Sequence, residues 1–334
     1  MLTVHRAECA DTLVEVLAAT MSAPLPDPMT TEVVAVAAHG VERWLAQQLA
    51  GTLGAGPEGD GIAANVDFPS PAQLLRRVID PFAADRGVDA ESWQAENLLW
   101  PVLAALDECI DDAALAMLAR HIDATGDDTW RGRKLATAST IARLFADYGW
   151  QRPQMIAGWA RGEDTSGALI DGELRALELS QTWQPRLWRE VRKQIGGPHI
   201  AEILDDVAAA VRAEPGRIDL PLRLSIFGPT RIPQMLRELL DAVAANREVG
   251  LYLAHPSPAL WATIASDPAP PGLRLRALRT PRPVANPLLA SLSRDVQELQ
   301  ESLGATIGFS KAQLIEAFED FEAGRMGTLP PGAR

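Results

Sequence analysis

Glu32-Val33-Val34-Ala35-Val36 runs through Ala37-Ala38-His39-Gly40 into Val41-Glu42-Arg43-Trp44-Leu45-Ala46-Gln47-Gln48-Leu49, and this stretch decides the fold class. The first five residues form a short apolar, β-branched run fit for a buried strand. The last nine space their apolar side chains along one face of a helix. Downstream, the strand-like Leu222-Arg223-Leu224-Ser225-Ile226-Phe227 precedes a helical pattern from about Ile232 to Ala245, and then comes Val249-Gly250-Leu251-Tyr252-Leu253. Strands alternating with helices predict an α/β fold with a parallel sheet.

Outward from that core, Asp11–Leu17 reads as an opening helix. Gly61–Phe68 reads as a strand stopped by Pro69 and Pro71. From about Ser70 to Ala213 the pattern is helical, in Ala72–Phe82, Glu91–Cys109, Leu135–Tyr148, Arg186–Ile195 and Ala201–Val211, with little that resembles strand. The expected organisation is a first part of the α/β core (1–69), a helical insertion (70–213) and a second part of the core (214–265). A Pro/Arg-rich linker (266–286) carrying Arg274, Arg276, Arg279 and Arg282 follows, then the start of a truncated next domain (287–334) with a final helix or two through Phe321.

Composition narrows the function. The 334 residues are 47% apolar and 22% charged, enough for a sizeable core. No apolar run approaches the ~20 residues of a membrane span, and the acids near the N-terminus do not suit a signal peptide, so a cytoplasmic protein is expected. Cys9 and Cys109 form no CxxC pair and read as two small buried side chains. The net charge of −13 argues against a simple nucleic-acid binder, although local basic patches remain open.

The chemistry-bearing motifs are mostly missing. Gly54-Ala55-Gly56-Pro57-Glu58-Gly59 spells GxGxxG, but it leads from a helix toward a strand and carries acids, so it reads as a plain loop. The turn at Val33–Leu49 is where a nucleotide-binding domain would carry its phosphate loop. That loop requires a Gly-Lys pair, and Lys134, Lys193 and Lys311 follow Arg133, Arg192 and Ser310. A magnesium-holding carboxylate should end the strand Leu222–Phe227, and Gly228-Pro229-Thr230-Arg231 stands there instead. The five histidines are scattered; His5 and Cys9 could share a helical face, but two ligands do not make a metal site. Asp111-Asp112 and Asp127-Asp128 suit helix starts and loops better than a metal pair.

Two basic clusters lie beside tryptophans: Arg186, Arg189, Arg192 and Lys193 with Trp183 and Trp188, and Arg131, Arg133 and Lys134 with Trp130. Arginine with aromatic neighbours suits a nucleic-acid strand. The spacing fits better a solvated face with its tryptophans turned to the core.

The segments Val33–Leu49, Gly61-Ile62-Ala63-Ala64-Asn65-Val66-Asp67-Phe68-Pro69, Arg133–Pro153, Trp183-Gln184-Pro185 with Leu187-Trp188, Phe227-Gly228, Leu251–Trp261 and Asn286-Pro287-Leu288-Leu289-Ala290-Ser291 together resemble, in order, the gamma subunits of exodeoxyribonuclease V, the RecC family. The resemblance implies an N-terminal fragment of a longer chain, with a superfamily-one helicase-like core that has lost its ATPase motifs. It implies RecB-like beta and RecD-like alpha partners that use ATP and Mg²⁺, while this chain holds no cofactor and no metal and catalyses nothing. It further implies roles in homologous recombination and DNA repair: scaffolding the motor and nuclease subunits, splitting the duplex fork and channelling the 3′-ended single strand. Carried over residue by residue, the channel would involve Ala37, His39, Arg43, Ser70, Arg76, Arg143, Leu144, Asp147 and Arg152. Leu144 and Arg152 fit the family pattern, whereas Ala37, Ser70 and Arg76 depart from it in size or charge. Channel lining is therefore expected rather than recognition of the same Chi octamer. The alternatives from the residues alone are a protein-interaction scaffold without DNA contact and an active ATP-dependent helicase.

Overall fold

The computed structural model describes residues 1–27, 29–53, 61–123, 130–170, 173–255, 257–266, 293–305 and 313–316. In chain order the elements are β1 (Leu2–Ala7), α1 (Ala10–Met21), β2 (Glu32–Val36), α2 (His39–Leu53), β3 (Val66–Asp67), α3 (Pro71–Ala83), α4 (Ala95–Cys109), α5 (Ala116–Asp123), α6 (Trp130–Gln151) and α7 (Pro153–Arg161). There follow β4 (Thr165–Ile170), β5 (Glu173–Ala176), α8 (Trp183–Ile195), α9 (Leu204–Ala213), β6 (Arg223–Phe227), α10 (Gln234–Ala244), β7 (Glu248–Ala254), α11 (Pro258–Ser266), α12 (Arg294–Ala305) and β8 (Gln313–Glu316).

Six strands form one parallel sheet in the order β3-β2-β6-β7-β1-β8. Val33, Val34, Ala35 and Val36 pair with Leu224, Ser225, Ile226 and Phe227 in turn, so the strands expected around Val33, Leu222 and Val249 do share a sheet. Both faces are covered, which is why the strands are continuous apolar runs. Val34 and Val36 point into a core with Leu13, Leu17, Leu45 and Leu49 of α1 and α2. Val33 and Ala35 point the other way, into a larger core that runs through α3, α9 and α10 to the tryptophans of the helical region.

Several expectations need correction. The chain opens not with a helix but with β1, an inner strand whose polar His5 and Arg6 hide it from a periodicity reading. His5 stacks on Tyr252 of neighbouring β7 with centroids 4.6 Å apart, and Arg6 lies 4.4 Å over the Trp261 ring. His5 and Cys9 therefore share no helix face. Cys9 precedes α1, is exposed and contacts Thr12 Oγ1 at 3.1 Å, so only Cys109 is a buried cysteine. The strand expected over Gly61–Phe68 shrinks to Val66–Asp67, paired with Glu32 and Val33 of β2, because Asn65 just before it takes a positive φ of 57° that interrupts extended backbone. The helical region holds an antiparallel hairpin, β4–β5, and the expected helical end contributes β8 to the sheet beside β1. The GxGxxG loop, Asp127-Asp128, the Pro/Arg segment and Asn286–Ser291 lie outside the described residues.

The helical core is centred on aromatic rings. Trp188 stacks on Trp93 at 5.5 Å, meets Trp159 edge-on at 6.4 Å, and shares His199 with Trp93. Gly149 on α6 backs directly onto that histidine: a methyl group there would lie 2.5 Å from His199 Nε2. The ring cannot retreat, because Trp93 stands edge-on 4.7 Å away and Nδ1 accepts from the Ala201 amide at 2.9 Å. Gly149→Ala should therefore destabilise the fold by about 1–3 kcal/mol, the ordinary range for overpacking. A urea midpoint equal to that of the unaltered chain would show that the His199 seat is slack.

Candidate nucleic-acid interface

Parallel strands bring their carboxyl ends to one edge, and open α/β sheets take ligands there. Ala37 leaves β2 at that edge, exposed, and two residues later His39 starts α2. Ser70 reaches the same edge after β3, because the Val36 amide donates to the Pro69 carbonyl at 3.0 Å. Each has a local role as well. His39 Nδ1 lies 2.9 Å from Glu42 Oε2, and Ser70 caps α3 in a reciprocal box with Gln73. One turn into α2, Arg43 is exposed and has no hydrogen bond or ion pair among the described residues. Arg76 is exposed on α3, within electrostatic reach of Asp80 one turn on.

The remaining expected residues sit on α6 and its end. Arg143 and Asp147 occupy exposed positions one turn apart, and Leu144 is half-buried beside them. Arg152 stands at the corner between α6 and α7. A residue before proline resists the helical conformation, so Arg152-Pro153 breaks the helix there, with the Arg152 amide still donating to the Tyr148 carbonyl at 2.8 Å. Its guanidinium lies 5.4 Å from the Tyr148 ring centre. The structure thus forms two groups: Ala37, His39, Arg43, Ser70 and Arg76 around the sheet edge, and Arg143, Leu144, Asp147 and Arg152 along α6. Among the described residues, no hydrogen bond or ion pair joins the two groups.

Arg152 also opens onto a polar cleft of about 160 Å³ between α6, α7, the β4–β5 hairpin and the start of α8, lined by Tyr148, Ser166, Arg175, Glu178, Gln181 and Gln184 among others. Burial pushes the Tyr148 phenol up, against the opposing pull of Arg152 and Gln184, so it keeps its proton and donates to Gln184 Oε1 at 3.1 Å. Arg175 is held by Glu178 at 3.2 Å. Sequence reasoning missed Tyr148, Arg175 and Gln184 as lining residues. The one local signal was the Arg152-Pro153 corner, and what faces it is set by α8 and the hairpin.

The basic cluster on α8 is spoken for within the chain. Arg186 pairs with Asp112 at 2.9 Å, Arg189 with Asp164 at 2.6 Å, Arg192 with Glu202 at 2.8 Å, and Lys193 with Glu190 at 2.8 Å. Trp188 is fully buried and Trp183 packs on the core, as a solvated face with inward tryptophans requires. In the second cluster Arg133 donates to the His121 carbonyl at 3.3 Å and Lys134 pairs with Asp107. Asp112 also accepts from the Ala114 amide at 3.0 Å and so starts a short 3₁₀ turn, a helix-start role. Among the described residues, no three His, Cys, Asp or Glu side chains gather to hold a metal, and no helix is long and apolar enough to cross a membrane.

Residues 2–325 match the family described as RecC, N-terminal domain. Over 313 residues the chain is 40% identical to the RecBCD enzyme subunit RecC of Mycobacterium tuberculosis (strain ATCC 25618 / H37Rv), covering 91% of this chain and 27% of that protein. Identity to the RecBCD enzyme subunit RecC of Mycolicibacterium smegmatis is 37% over 308 residues, 90% of this chain and 25% of the relative. To the subunit of the same name in Escherichia coli (strain K12) it is 27% over 258 residues, 73% and 20% of the two chains. The chain spans about a quarter of the length of these relatives.

Proposed function

Because the chain belongs to the RecC N-terminal domain family, we propose that it is the helicase-like, non-catalytic N-terminal region of a RecC-type subunit. In a RecBCD-type complex it would scaffold RecB-like and RecD-like partners, which use ATP and Mg²⁺, and would guide the 3′-ended single strand away from the duplex fork during double-strand-break repair. The setting would be cytoplasmic. The observation that carries the DNA contact is the division of the arginines. Those of α8 are bound to carboxylates, whereas among the described residues Arg43 and Arg143 are exposed with no hydrogen bond or ion pair, and Arg152 opens onto a polar cleft with its guanidinium near the Tyr148 ring. A guanidinium with no internal acid is available to a phosphate.

A lost nucleotide site is supported by the strand–helix connections. A phosphate loop is a strand, a glycine-rich turn ending in Lys-Ser or Lys-Thr, and a helix. β1 enters α1 through Glu8 and Cys9, and β2 enters α2 through Ala37 and Ala38. Both turns are too short to wrap a phosphate, and the first carries a carboxylate. β6 ends on Phe227 and runs into Gly228-Pro229-Thr230-Arg231, with no acid for magnesium. ATP with Mg²⁺ should leave the melting midpoint unmoved, since a ligand stabilises only what it binds. A magnesium-dependent rise would mean that the site still works.

The channel is tested in the reconstituted complex by replacing Arg43, Arg76 and Arg152 with alanine and titrating a single-stranded oligonucleotide at several salt concentrations. Each lost phosphate contact should lower the salt slope by about 0.7. The same change at Arg186, Arg189 and Arg192 should leave the slope alone. A second reading, a protein scaffold without DNA contact, draws on the −13 charge and the exposed Trp100 and Leu179. It prevails if neither triple variant changes affinity or slope.

A further inference from the structure

The sheet's carboxyl edge is not open along its whole length. Between β6 and β7 it is covered by α12, and three sets of contacts hold that helix down. Leu299 and Leu303 are buried in the main core. Gln300 Nε2 donates to the Trp261 carbonyl on α11 at 2.9 Å. Asp295 accepts from Arg231, on the connection leaving β6, at 2.7 Å. Trp261 is itself fixed, with Arg6 4.4 Å over its ring and the His255 ring edge-on at 5.1 Å. What remains of the crevice is about 50 Å³, bounded by Gly228, Thr230, Ala254, Trp261, Leu299 and Gln300. That is room for water and not for a nucleoside or a phosphate chain.

We infer that α12 is a built-in plug: the crevice outside the carboxyl ends of β6 and β7 is filled by Leu299 and Gln300 of the same chain. The plug is independent of DNA binding, since none of its residues belongs to the proposed channel. It combines an apolar seat, Leu299 and Leu303, with two polar latches, Asp295–Arg231 and Gln300–Trp261. Such an element has two discrete positions, seated and lifted, and lifting it exposes Trp261 and the ends of β6 and β7 together.

Hydrogen exchange on the full chain tests this. Arg231→Ala with Gln300→Ala removes both latches and leaves the seat, whereas Leu299→Asp places a charge in the seat. In either variant, amides in 253–262 and 294–303 should exchange at least about tenfold faster, while 74–83 and 138–146 keep their protection. Unchanged protection at 253–262, or an equal loss over the whole chain, would overturn the plug. If Leu299→Asp does not fold, the double variant decides alone, because its substitutions leave Leu299 and Leu303 in place.

Discussion

Arg223→Ala should cost the protein about 3–5 kcal/mol, the range for a buried charge stripped of its partner. Arg223 begins β6, and its side chain crosses to neighbouring β2, where Nε donates to Glu32 Oε2 at 3.2 Å and Nη2 bonds Glu32 Oε1. The other side of the guanidinium closes the C-terminal end of α1, with Nη1 to the Thr20 carbonyl at 2.7 Å and Nη2 to the Ala23 carbonyl at 3.0 Å. Both charged side chains are largely buried, at 10% and 16% exposure. Alanine at 223 would leave a carboxylate and two carbonyls without partners in a place water barely reaches. The loss would be a large share of the ~5–15 kcal/mol by which a domain is ordinarily stable. Removing both charges, as Glu32→Met with Arg223→Met, should recover the share that comes from the stranded carboxylate but not that of the Thr20 and Ala23 carbonyls, since an apolar pair of similar volume is often no worse than a buried ion pair. A double-mutant cycle by urea unfolding measures this. Single-variant losses under about 1 kcal/mol would mean that the pair behaves like an exposed one.

Acid should act through the buried histidines. Burial pushes His199 from its ordinary 6.5 down to about 3, and burial with Arg6 nearby pushes His255 to about 4, against hydrogen bonds from Ser257 and Gln300. Between the folded and unfolded values the unfolded chain binds more protons. Stability is therefore full above about pH 6.5 and falls as the pH drops toward those values. His199 alone should cost about 1.4 kcal/mol per pH unit in that window, near 2 kcal/mol at pH 5, and His255 adds a loss of the same sign. His199→Asn keeps an acceptor for the Ala201 amide without the titration, so the drop from pH 7 to pH 5 should be smaller by about 2 kcal/mol. Equal melting temperatures for the unaltered chain at pH 7 and pH 5 would refute a buried neutral imidazole.

Where periodicity is unbroken, the sequence was a good guide. Val33–Val36, Leu224–Phe227 and the helices on either side are legible because both faces of those strands meet apolar side chains. β1 was not legible: His5 and Arg6 look like surface residues until Tyr252 and Trp261 are in place to bury them. β8 was lost for a related reason, since four residues carry too little pattern and its pairing partner is the other end of the chain. The candidate site divided in the same way. Ser70 and Arg152 stand next to prolines, which fix a helix start and a helix break locally. Tyr148, Arg175 and Gln184 meet only through tertiary packing.

The sequence by itself determined the α/β class, the helical stretch between the strands and the lack of a Gly-Lys phosphate loop, because these depend on residue type and on spacing within a few turns of chain. Only the tertiary structure decided which arginines are available. Arg186, Arg189 and Arg192 looked as free as Arg43 and Arg143, but their acids, Asp112, Asp164 and Glu202, come from other elements. Charge compensation is a matter of distances of a few ångströms in space, and a sequence orders residues only along the chain.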